Sequence, residues 1–148
     1  MRKRVKVTLL PGWSDYSDQN PEGPPTFLRE TSKIPGPLQV SLVAYRGGEI
    51  PNPSLENLLN MASEMGDTLG ASEVVETTSG DCAFGRFGSA VFRSAENPRM
   101  QVWYLSDGYD FILATHICGE EPDGSEVAEV EEIIKRLTVE SRRWWKFW

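Results

Sequence analysis

The sequence predicts an α+β domain: an antiparallel sheet of about six or seven strands, with a meander in its second half and two main helices packed on it. Three observations carry that reading. Apolar residues alternate with period two in short runs separated by Gly, Pro, Asn and Asp. They recur at helical spacing in only two segments, 54–70 and 123–137. The runs also come in blocks, whereas strands of a parallel sheet would alternate with helices.

Taken in order, "VKVTLL" alternates as a first strand and is closed by Pro11, Gly12 and Trp13. "SDYSDQNPEGPPT" is polar, rich in Pro and Gly and without period, so residues 14–26 read as a surface loop longer than most connections. Loops of that length often carry function. "TFLRET" is a short strand. "LQVSLVAY" is a clear one, with Leu38, Val40, Leu42 and Ala44 on one face and Pro35 and Pro37 marking its start. Ser54 stands where an N-cap belongs, and Leu55, Leu58, Leu59, Ala62, Met65 and Leu69 follow at helical spacing up to Gly70.

"SEVVETTSG", "DCAFGRFGSAVFRS" and "PRMQVWYLSDGYDFILATHIC" then supply four strands, with "SDG" as a tight hairpin between the last two. The closing helix, "DGSEVAEVEEIIKRL", is capped by Asp123 or Ser125 and carries Val127, Val130, Ile133, Ile134 and Leu137 as its apolar stripe. The core is expected to hold Leu38, Val40, Leu42, Leu58, Leu59, Ala62, Trp103, Phe111, Leu113, Val130, Ile134 and Leu137.

At 148 residues, 39% hydrophobic and 25% charged, the chain suits one domain over 1–140, followed by a basic aromatic tail over 141–148. Two cysteines match neither a disulfide scaffold nor a zinc ribbon, so a reducing, cytoplasmic setting is expected. The basic N-terminus is followed by an apolar run interrupted at Lys6 and stopped at Pro11, too short for a signal peptide. No stretch approaches the roughly 18 to 20 apolar residues that cross a bilayer. The net charge of −7 conceals an asymmetry: residues 7–140 retain 8 of the 15 basic residues and all 22 acidic ones, a balance of −14. Such a body repels phosphate backbones and accommodates a basic protein partner more easily than nucleic acid.

His116 is the only histidine, and Cys118 follows it at i+2, so both leave one face of a strand about 6.5 to 7 Å apart. A cysteine nucleophile needs a base in hydrogen-bond contact, a geometry that parallel side chains reach poorly. Cys82 is expected at the opposite end of the sheet, which leaves neither a disulfide nor a set of metal ligands. No metal, cofactor or catalytic residue is therefore expected. Gly80, Gly85 and Gly88 lack the Lys-Ser/Thr ending of a phosphate loop, and Gly85 and Gly88 read as a bulge or the close approach of a helix. Glu120, Glu121, Asp123 and Glu126 read as a solvated loop at a helix N-terminus.

"TLLPGW", "LQVSLVAY", "QVWYLSDGYDFILATHIC" and "EVEEIIKRLTV" together resemble, over roughly residues 5–139, the Mog/PsbP-like superfamily. The resemblance implies that fold and a binding role, since its members include photosystem subunits, Ran-binding proteins and bacterial proteins without an assigned role. It supplies no catalytic motif to match.

The tail "SRRWWKFW" extends the stripe of the last helix if the helix continues, and its aromatics need a surface on which to bury. Trp144, Trp145, Trp148, Arg142 and Arg143, with Trp13 and Tyr16, are the candidate residues for a partner or for docking on the domain itself. The acidic body opposes a membrane. The reading is a non-enzymatic binding module, such as a bacterial immunity or adaptor protein, with a protein partner or a second copy of the chain. The alternative is a small enzyme using surface carboxylates or Cys118 with His116.

Overall fold

The computed structural model describes residues 2–19, 21–43 and 52–142. Eleven principal elements follow one another: β1 (Arg2–Lys6), β2 (Trp13–Asp15), β3 (Thr26–Arg29), β4 (Leu38–Val43), α1 (Leu55–Thr68), β5 (Glu73–Asp81), β6 (Arg86–Arg93), β7 (Arg99–Ser106), β8 (Phe111–Cys118), α2 (Gly124–Lys135) and β9 (Thr138–Arg142). Seven strands form an antiparallel sheet in the order β2-β3-β4-β8-β7-β6-β5. The meander β5 to β8 is as predicted, and β4 closes onto β8 with Leu38 opposite His116 and Val40 opposite Ala114.

The two helices cover opposite faces, and the strand period decides which residues each one meets. Met100 and Val102 pack with Ala90, Phe92 and Ala62 under α1. Trp103 and Leu105, one step out of phase, pack with Ile112, Ala114, Val130, Ile133, Ile134 and Leu137 under α2. Helix α1 begins at a capping box, in which the Asn57 amide N–H donates to the Ser54 hydroxyl and the Ser54 N–H donates to the Asn57 side chain. It lies directly on β6, because a Cβ at Gly88 would come within 2.3 Å of the Leu59 nitrogen. Gly88 thus permits the helix approach that the sequence suggested.

Several boundaries differ from expectation. The first strand is Arg2–Lys6 and pairs with β9 in a separate two-stranded ribbon, Val5 opposite Val139. The closing helix stops at Lys135, so the stripe does not run on into the tail; extended backbone to Arg142 crosses position 140 and finds its partner in β1. β-branched Thr138 and Val139 favour that extended form. The long loop contains β2 and a 3₁₀ turn at Ser17–Gln19. Cys82 and Gly85 belong to the β5–β6 turn, where they exchange backbone hydrogen bonds and Gly85 takes φ +151°. Leu42, Leu59 and Leu113 are only half-buried, and Leu42 lines an open cleft beside β1.

Candidate functional site

His116 and Cys118 emerge from β8 on the face covered by α2, both 1% exposed. Their side chains converge more closely than the pleat spacing suggested: Cys118 Sγ lies 3.6 Å from His116 Nε2 and 3.8 Å from Nδ1. Glu126, read from sequence as solvated, is fully buried, and its Oε2 accepts from His116 Nε2 at 2.8 Å. The reason lies in helical phase. Glu126 stands four residues before Val130 and so falls on the apolar stripe of α2, a signal the sequence did contain.

Two further donors complete the carboxylate. Ser32 Oγ donates to Oε1 at 2.6 Å and the Gly36 N–H donates to Oε2 at 3.1 Å. Gly36 is required here, because a Cβ at that position would come within 2.6 Å of Cys118 Sγ and 3.0 Å of His116 Nε2. Ser32 in turn accepts from Arg29, whose guanidinium holds Glu129 through both carboxylate oxygens. Trp13, a candidate partner residue, is instead part of the domain's own core, and its Nε1 donates to Glu129 at 3.0 Å. Tyr16 is half-buried at the start of the long loop and donates its hydroxyl hydrogen to Glu30. Arg142 lies in β9, while Arg143, Trp144, Trp145 and Trp148 lie outside the described residues.

Burial pushes the Glu126 carboxyl up, but the hydrogen bonds from His116, Ser32 and Gly36 outweigh it and hold the group below the ordinary glutamate range. Burial pushes the Cys118 thiol up to about 12, and the Glu126 charge adds to the effect. A thiol so placed stays protonated at neutral pH. The sulfur also stands near both ring nitrogens, whereas an activated nucleophile meets the nitrogen opposite the one that its orienting group holds. The triad is therefore a poor nucleophile as it stands. It joins the loop before β4, the end of β8 and the first turn of α2.

Two surface features are also relevant. A cleft of about 780 Å³ opens between β1 and β4, walled by the long loop through Asp15, Ser17 and Glu22 and floored by Phe27 and Val40. At the far edge of the sheet β5 is solvent-exposed, and Val74 and Val75 are 55% and 45% exposed. Neither α1 nor β5 contains a basic residue, while Glu56, Glu64, Asp67, Glu73, Glu76 and Asp81 are all exposed.

No protein-family model and no curated protein matches this chain. Among solved structures, the solution structure of cyanobacterial PsbP (CyanoP) from Synechocystis sp. PCC 6803 is similar, with a TM-score of 0.54 over 92% of each chain at 10% identity. The fold is PsbP-like. In this PsbP-like domain the sequence resemblance and the architecture agree, and at that identity the likeness is one of fold. No described helix is long and apolar enough to cross a membrane.

Proposed function

We propose that this PsbP-like domain is a non-enzymatic, cytoplasmic binding module, of the kind an immunity or adaptor protein would be, and that its partner is a basic protein. The observation that carries the reading is the α1–β5 side: six exposed acids without a base in either element, Glu73 among them paired with Arg93 of β6, beside the exposed Val74 and Val75 on an edge strand. An open edge supplies unpaired backbone groups, and the surrounding acids select the sign of what pairs there. The raised thiol and misaligned sulfur of the buried triad weigh against an enzyme built on Cys118 and His116.

A photo-crosslinker placed at Thr77 in the native host should capture a protein of net positive charge, and Glu73→Lys with Glu76→Lys should abolish the capture. Acidic partners only, or capture indifferent to the charge reversal, would overturn the proposal.

A further inference from the structure

We infer that His116, Cys118 and Glu126 form a binding site for a zinc-class divalent transition-metal ion. The three side chains offer an imidazole nitrogen, a sulfur and a carboxylate oxygen within 4.8 Å of one another, all buried. With Zn–S of about 2.3 Å and Zn–N of about 2.0 to 2.1 Å, a tetrahedral ion separates its sulfur and nitrogen ligands by about 3.5 to 3.6 Å. The observed Sγ to Nε2 distance is 3.6 Å, and because Sγ also stands 3.8 Å from Nδ1, binding turns the Cys118 side chain to bring the sulfur in front of the Nε2 lone pair. The Nε2 to Oε2 distance of 2.8 Å is that of a hydrogen bond and opens by about half an ångström when an ion replaces the shared proton.

Charge and chemistry select the ion. Binding forms bonds from the metal to Sγ, Nε2 and a Glu126 oxygen; Cys118 releases its thiol proton to water, and the proton that Nε2 donates to Glu126 leaves that nitrogen and is taken up at Nδ1, so the ring stays neutral with a single proton. Thiolate and carboxylate then balance the two positive charges, so the buried cluster becomes neutral overall, the arrangement that burial penalises least. A thiolate with an imidazole favours zinc over magnesium or calcium, and three protein ligands leave a fourth position for water or another donor. Ser32, itself held by Arg29, and the Gly36 N–H already fix the Glu126 carboxylate by hydrogen bonds, as the surroundings of a metal site must.

The site lies beneath the surface. A cleft of about 230 Å³ next to it is lined by Ser32, Lys33, Glu120, Glu121, Asp123 and Glu126, among others, so three exposed acids and one lysine stand above the buried carboxylate. Such a cleft concentrates cations.

The test uses the full chain, stripped of metal and titrated with Co²⁺ and then Zn²⁺. One Co²⁺ per chain should bind with a thiolate-to-cobalt charge-transfer band in the near ultraviolet, which Zn²⁺ then bleaches. Cys118→Ser should remove the band, and Ser32→Ala should weaken binding by about 10- to 100-fold. Glu121→Gln with Asp123→Asn should slow uptake and leave the spectrum unchanged. Should Cys118→Ser fail to fold, Cys118→Ala and the wild-type spectrum decide the matter. Absence of the thiolate band in the wild type, or Co²⁺ affinity unchanged by the loss of Cys118, would assign any bound ion to the surface acids and overturn the site.

Discussion

At the scale of single residues, Glu126 is the side chain whose environment departs most from what its type suggests. It is ionised in the core because three donors replace its water, so removing it strands His116 and leaves two further donors unpaired. Glu126→Ala is expected to cost about 3 to 5 kcal/mol of stability by denaturant titration, the range for breaking a buried pair. Its folded pKa is depressed, so its contribution is complete above the unfolded value of about 4.3 and is lost as pH falls through the folded pKa. The melting temperature of the native protein should drop over that acid window, and Glu126→Gln should flatten the drop; a profile identical in both proteins would place the acid sensitivity elsewhere. For Cys118, burial and a thiol pKa of about 12 imply protection. Metal-free native protein should resist thiol labelling at Cys118 at neutral pH, as read by mass spectrometry of the labelled peptide. Rapid labelling there would favour the nucleophile reading.

Elements in this molecule are positioned by backbone approach as much as by side-chain burial. Gly88 lets α1 rest on β6, and a side chain there meets helix backbone that cannot rotate away. Gly88→Val should therefore destabilise by about 1 to 3 kcal/mol or more, with loss of near-ultraviolet circular dichroism from disturbed packing. Ile134 is 1% exposed on the buried face of α2, whereas Leu59 is half-buried at the margin of α1. Ile134→Ala is expected to cost about 2 to 5 kcal/mol and Leu59→Ala clearly less. Equal losses would mean that α1 seats more deeply than the structure places it.

Across the whole molecule, the two ends of the described chain meet in the β1–β9 ribbon, where Val5 and Val139 are opposite one another and pack against the α2-side core. A double-mutant cycle on Val5→Ala and Val139→Ala should return a coupling of about 0.2 to 1 kcal/mol, the range for cross-strand pairs. Zero coupling would mean that β1 and β9 do not pair in this register. The same scale carries the charge asymmetry: the acids of α1 and β5 lie along one side of the sheet, and Lys3, Arg4 and Lys6 lie on the ribbon.

The α+β class, the order of strands and helices from β3 to α2, and the Ser54 cap were legible in the sequence, because each rests on a local period or a local hydrogen bond that neighbouring residues set for themselves. The acidic balance was legible too, since it is a sum over the chain. Other features needed the folded chain. Strand β9 exists because Arg2–Lys6, more than 130 residues away, offers it a partner, and no local signal announces that pairing. The union of His116, Cys118 and Glu126 depends on α2 crossing β8 at one height and on Gly36 closing over them. Glu126 had declared its face by its spacing to Val130, but only the packing decided that the stripe would turn a carboxylate onto a histidine, because the partner that makes such burial tolerable comes from another element.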